Sequence, residues 1–262
     1  MPDVADRTLQ PTRRVIGDVD PAHPLDTTHP LLRGLEGFWL PLPSTSGGSR
    51  LYDLSGWRRQ GNIFGASWGS DKNKVSLSFD ATNNHYAKLP LPSDPHLGAT
   101  IAMHFRVPTL TDRPWKSIGG VADSTGGNRS TRFWKFYGNT RELGWSGGNS
   151  LNGPTTDGLD FKTHTAVGVI VDDTSVRFYL DGSLVGTRDN YDSVTTWNSH
   201  TIGRGWEGEW FYQNIVLYSH GYWSRPFGLE DAEAFDDQAR RGFPDLLRTR
   251  STAPLVSTSG GG

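Results

Sequence analysis

Val176-Arg177-Phe178-Tyr179-Leu180-Asp181-Gly182-Ser183-Leu184-Val185 is the stretch that decides the fold class. Its two apolar runs alternate with the period of two expected of half-buried strands. Asp-Gly between such runs is the strongest short-range signal for a tight type I′ hairpin turn. Just upstream, Ala166 to Val171 reads as a further strand, closed by the turn Asp172-Asp173-Thr174-Ser175. Three consecutive strands joined by short turns form an antiparallel meander, and that sets the class as all-β.

Working outward, Ile101, Met103, Phe105 and Val107 alternate with Ala102, His104 and Arg106, and Val75, Leu77 and Phe79 repeat the pattern. One helix is expected over Leu229 to Arg241, where Leu229, Ala232, Phe235 and Ala239 share a face. Acidic residues crowd its first turn and Arg240-Arg241 its last, which suits the helix dipole. Gly242 and Pro244 then stop it.

Length and composition fit one large β domain. The 262 residues are 34% hydrophobic, but ten Trp, twelve Phe and eight Tyr compensate, because large aromatics bury the most area. The 32 glycines supply many turns. A net charge of −2 removes the electrostatic argument for nucleic acid. With no cysteine, disulfides and thiolate metal sites are excluded. The first ten residues have no apolar run, so no secretory signal is expected, and no stretch is long enough to span a membrane.

The ends read differently from the middle. Residues 1–33 are proline-rich (Pro2, Pro11, Pro21, Pro24, Pro30) without apolar periodicity, and are expected to form an extended N-terminal arm. Within it, Arg13, Arg14, Val15 and Ile16 are the candidate contacts to a neighbouring subunit, against the plainer reading of a disordered leader. Residues 243–262 are expected to be a flexible C-terminal tail.

Six segments in order resemble the laminin-G-like, concanavalin A-like jelly-roll family found in bacterial and phage proteins. They are Gly37-Phe38-Trp39-Leu40-Pro41-Leu42, Tyr52-Asp53-Leu54-Ser55-Gly56, Leu77-Ser78-Phe79-Asp80 with Tyr86, Ile101 to Val107, Val176 to Val185, and Ile202-Gly203-Arg204 with the closing helix. The resemblance covers 34–242 and implies an antiparallel two-sheet jelly-roll sandwich. It implies binding or assembly more often than catalysis. Two departures stand against a calcium site: Asn83-Asn84 replace acidic residues, and Gln213 to Tyr218 lacks the family's acidic pair.

Each candidate chemistry competes with a structural reading. Gly203, Gly205 and Gly208 have G-x-G-x-x-G spacing, but Trp210-Phe211-Tyr212 follows where a phosphate loop needs a helix. Glu207 and Glu209 sit at alternate positions, as a glycosidase pair would, yet Gly205 and Phe211 flank them and leave the carboxylate row incomplete. Two G-x-S-x-G matches, at Gly65 to Gly69 and Gly144 to Gly148, lack the helix a nucleophile elbow requires and read as turns. Asp80, Asn83 and Asn84 could offer oxygens to calcium, against the reading that they serve a local turn. The histidines show no zinc spacing. Trp145, Trp197, Trp206 and Trp210 lie in or beside expected turns and are the candidate sugar-stacking residues; the competing reading is that such rings plug the sandwich. Trp39 is assigned to the core.

The expectation is a non-catalytic structural or decorating protein of a virus particle, surface-exposed and glycan-adhesive. It would need no cofactor, calcium aside, and would contact other virion or self subunits through its arm. Many copies on a particle would raise the avidity of a weak site. A free lectin-like module and a glycoside hydrolase are the alternatives.

Overall fold

A computed structural model describes residues 25–247, apart from 27, 43–47, 58, 72–73, 92–97, 111–114, 123–131, 138–140, 147–153, 157, 173–174, 190–198 and 205–212. Two antiparallel sheets stack as a sandwich. The first runs in the order β13 (Ser183–Arg188), β12 (Val176–Leu180), β11 (Thr163–Ile170), β7 (Ala99–Arg106), β15 (Ile215–Trp223), β5 (Lys74–Phe79) and β4 (Ser67–Asp71). Strand β1 (Leu35–Trp39) pairs with the second half of β15, beyond the stretch that pairs with β5. The second sheet runs β10 (Leu143–Ser146), β9 (Arg132–Tyr137), β8 (Trp115–Ala122), β14 (Ser199–Ile202), β6 (Tyr86–Leu89), β3 (Gly61–Phe64) and β2 (Arg50–Leu51).

The opening hairpin forms as its sequence dictates. Leu180 pairs with Ser183 across the turn, and Asp181 and Gly182 have φ of 51° and 76°. Both central residues of a type I′ turn need positive φ, which Asp tolerates and Gly takes freely. The expected helix α1 spans Leu229–Arg241 and ends on Gly242 at φ 80°.

The main core lies between the sheets. Ile101, Met103 and Phe105 of β7 meet Trp39, Trp134, Trp145, Phe178, Leu217 and Tyr222 there. Trp39 is buried, as expected. Residues 144–148 were expected to be a turn, but Leu143–Ser146 is a strand, and Trp145 pairs across it with Trp134, ring centroids 4.9 Å apart. The indole of Trp145 lies flat over Gly168 of β11, where an added Cβ would sit 2.5 Å from the ring. Only glycine leaves room for it.

A second core covers the outer face of the first sheet. Ala102, Val167, Val169, Tyr179 and Trp223 face outward and are roofed by Ala232, Phe235 and Ala239 of α1 with Phe227. This layer also corrects the expected boundaries. Leu25 and Leu31 from the expected arm, and Phe243, Leu246 and Leu247 from the expected tail, are buried in it, and Leu25 bridges to Leu247. Trp223 donates its indole N–H to the Leu31 carbonyl at 2.6 Å. These leucines carry no periodic signal, yet they find an apolar sheet face to cover. Residues 1–24 and 248–262 lie outside the described residues, and Arg13, Arg14, Val15 and Ile16 with them.

Candidate functional site

Four neighbouring strands of the first sheet, β11, β7, β15 and β5, each place one polar side chain on the outer face beside the end of α1. These are Thr163, His104, Tyr218 and Lys74. With Arg240 from the last turn of α1 they line a cavity of about 260 Å³. The alternation along β7 explains His104: Met103 and Phe105 point into the sandwich core, so their neighbour faces the other way. Tyr218 sits at a β-bulge, where the β15 register against β7 shifts between Leu217 and Ser219. Bulges re-aim side chains. Here Leu217 and, three residues on, His220 both enter the inter-sheet core, while Tyr218 stays outside with its ring 4.9 Å from that of His104.

The charges around the cavity are tied down from behind. Lys74 donates to the carbonyls of Ala239 and Arg240 at 3.1 and 2.9 Å, capping the negative end of the helix dipole. Asp71 accepts from Arg106 Nε at 2.9 Å and from the Tyr218 hydroxyl. Arg240 pairs with Asp236 at 2.8 Å and with Asp181 at 3.0 Å. Asp181, the hairpin residue, also accepts the Thr165 N–H and contacts His164 Nδ1 at 2.7 Å. Burial alone would depress the His164 pKa, but its bond to Asp181 and the charges of Asp181 and Asp160 raise it instead.

His104 is different. It is 1% exposed and it lines the cavity. Burial, followed by the charges of Lys74 and Arg240, pushes its pKa well below the ordinary histidine value. It is therefore a neutral imidazole at neutral pH. Burial and then the bond to Asp71 raise the Tyr218 pKa. The lining thus holds a guanidinium, an ammonium, an imidazole and two hydroxyls, with no carboxylate among them. Such a surface suits a small oxygen-rich ligand.

None of these five residues was singled out as a site in the sequence. The period of two places His104 opposite Met103, but which strands lie side by side is not written in any local pattern. Of the expected sugar-stacking residues, Trp145 is corrected: it is fully buried between the sheets, with no face to offer a ligand. Trp197, Trp206 and Trp210 lie outside the described residues, as do Glu207 and Glu209. Asp80, Asn83 and Asn84 form a turn in which the Asp80 carboxylate accepts from Thr82 N at 2.8 Å and Asn83 Nδ2 at 2.6 Å. Those bonds, the Thr82 one first, hold its pKa below the usual range. Calcium needs about six to eight oxygens, and a carboxylate spent on its own turn does not fit that demand. Among the described residues no three His, Asp or Glu gather to hold a metal. Ser67 opens β4 and Ser146 ends β10, so neither serine match follows a strand into a helix among the described residues. No helix among them is long and apolar enough to cross a membrane.

A second surface feature also escaped the sequence reading. Trp57 is 62% exposed, with the Arg59 guanidinium 5.3 Å from its ring. Its loop is pinned by Asp53, whose carboxylate accepts from the backbone N–H groups of Phe38, Ser55 and Arg59.

No family model matches the sequence, and no curated protein matches it. Solved structures do match. A Trypanosoma rangeli sialidase in complex with sialic acid superposes with a TM-score of 0.64 at 15% identity, over 81% of this chain and 34% of that one. A mutant of that sialidase with trans-sialidase activity gives 0.62 at 15%, over 83% and 34%. The structure HCR/D-Sa-GBL1/C gives 0.58 at 11%, over 80% and 53%. The chain thus spans about a third of the sialidases and about half of the other protein. At such identities the likeness speaks of fold. The chain is a two-sheet sandwich of the concanavalin A-like type, a fold it shares with part of each of these longer proteins.

Proposed function

We propose that this chain is a non-catalytic glycan-binding sandwich that works as one part of a larger surface assembly. The observation that carries this reading is a polar cavity with the buried imidazole of His104 at its floor. Two hydroxyls, an ammonium and a guanidinium around it offer the convergent polar contacts a sugar needs. The fold-mates give weaker support: one was solved with sialic acid. Function does not follow from fold, so the cavity bears the weight.

The non-catalytic part of the reading rests on the lining, which has no carboxylate among the described residues. It also rests on the incomplete carboxylate row around Glu207 and Glu209. The proposed setting, many copies on a virus particle, rests on the proline-rich residues 1–24 as an arm to neighbouring subunits. A glycan array probed with the wild-type chain and with Arg240→Ala tests the binding reading. Binding that the variant loses supports it; binding that the variant retains in full, or none at all, refutes it. Hydrolysis of any glycan on the array, abolished by Glu207→Gln, would refute the non-catalytic part. Retention of particle association after deletion of residues 1–24 would refute the arm.

A further inference from the structure

We propose that the cavity beside α1 takes an anionic group carried by a glycan, a carboxylate or sulfate, with Lys74 and Arg240 as the cations and His104 as the buried donor. This rests on the glycan-binding reading and narrows its ligand class. Among the described residues of the lining none is a carboxylate, and each except Tyr218, whose hydroxyl donates to Asp71, can donate a hydrogen bond to a ligand. Lys74 and Arg240 both bear on the floor strongly enough to oppose protonation of His104. An oxyanion between them would make charge-assisted bonds, which are about twice as strong as the neutral ones a plain sugar makes.

Three carboxylates lie near the cavity, and two of them pair with the inner side of Arg240. Asp71 is engaged by Arg106 and Tyr218, Asp236 by Arg240 and Thr165, and Asp181 by His164, Arg240 and Thr165 N. The Arg240 side chain remains 49% accessible, so its outer edge is open to a ligand. A guanidinium presents a planar fork of donors that matches the two oxygens of a carboxylate or sulfate. The volume of about 260 Å³ is small and fits a single sugar unit rather than a long chain.

This arrangement also has a proton consequence. The groups facing His104 are Lys74 from β5, Tyr218 from β15 and Arg240 from α1, with Arg106 two residues along its own strand and held by Asp71. Burial is the first cause of the lowered His104 pKa and the charges of Lys74 and Arg240 follow it, so an anion between those two relieves only the lesser cause. Burial remains in the complex, so His104 stays a neutral donor and binding changes little between pH 7.5 and 6.

The test is calorimetric titration of the full chain with sodium glucuronate, glucose 6-sulfate, methyl glucoside and inorganic sulfate, at pH 7.5 and 6, in buffers of different ionisation enthalpy. Expected are dissociation constants at least tenfold lower for the two acidic sugars than for methyl glucoside. Binding that changes little between pH 7.5 and 6, with a heat that does not vary with buffer, is expected with them. Arg240→Ala, a substitution at an exposed position that leaves the core intact, should cost tenfold or more for the acidic sugars. If methyl glucoside binds in the cavity as well as glucuronate does, the anion inference is overturned and the glycan reading stands. Inorganic sulfate binding as tightly as the acidic sugars would leave an anion site and overturn the glycan reading. No binding by any of the four overturns both.

Discussion

Lowering the pH from 7.5 to 4.5 should strip several kcal/mol from the stability of this fold, and the centre of the sandwich shows why. His200 on β14 and His220 on β15 face each other across the two sheets, their Nε2 atoms 2.8 Å apart. Trp39, Trp134 and Tyr222 surround them. His200 Nδ1 lies 3.2 Å from the Pro90 carbonyl and must donate to it. Its Nε2 is then the acceptor and His220 Nε2–H the donor, a tautomer assignment fixed by the network. One proton fewer or more breaks the chain of bonds. Burial lowers the His200 pKa to about 4. Burial, then the neighbouring His200, pushes His220 well below its ordinary value.

The sign follows from linkage. Once pH drops below about 6.5 the unfolded chain binds protons on these rings that the folded chain refuses, so stability falls with pH until the folded pKa is reached. At about 1.4 kcal/mol per unit, the shift of His200 from 6.5 to about 4 amounts to about 3 kcal/mol lost by pH 4. That is a large share of a typical total of about 5–15 kcal/mol. His220 and His104 act in the same direction. His164 opposes them: its raised pKa gives a stabilisation fully present below about 6.5 and lost as pH rises through the folded value. Carboxylates with lowered pKa, such as Asp181 and Asp231, lose their contribution only below their ordinary range near 3.8. The window from 6.5 to 4 thus belongs to the histidines. Urea midpoints followed by tryptophan fluorescence at pH 7.5, 5.5 and 4.5 measure it. His220→Gln, which keeps a donor toward His200 and cannot protonate, should make the profile shallower by the His220 share while the His200 share remains. A wild-type midpoint constant across that range would refute the reasoning.

Other substitutions test the packing and the loops. Gly168→Ala puts a methyl group 2.5 Å from the Trp145 ring and should cost about 1–3 kcal/mol in urea denaturation; a neutral result would contradict the placement of Trp145. Asp53→Ala removes the acceptor of three backbone N–H groups and should cost about 2–4 kcal/mol, with increased proteolysis at the Trp57 loop; an unchanged cleavage pattern would count against that loop's geometry. Phe235→Ala opens the core under α1 and should cost about 3–5 kcal/mol by calorimetry, whereas a loss under 1 kcal/mol would show that the helix is not docked.

The parts of the fold legible in the sequence were those with local rules. Asp181-Gly182 specified its own turn, and the helix from Leu229 to Arg241 carried its face, its dipole charges and its stop. Alternation marked β5, β7 and β12. Where the rules are non-local the reading failed. Trp145 sits among glycines that resemble a turn, and only the partner Gly168 on another strand shows that it is a core residue. The buried leucines at both ends look like parts of an arm and a tail until the outer sheet face beneath them is known. The cavity was illegible for the same reason. Its five residues are spread from Lys74 to Arg240, and what gathers them is the strand order β11-β7-β15-β5 together with a bulge at Tyr218.

The most direct test of the glycan-binding reading is a crystal structure of the chain grown with glucuronate at millimolar concentration. The account predicts one sugar ring seated among Lys74, His104, Thr163, Tyr218 and Arg240, with its carboxylate toward Arg240 and a ring or carboxylate oxygen within hydrogen-bond distance of His104. A sugar bound elsewhere on the molecule, with that cavity holding only solvent, would contradict it.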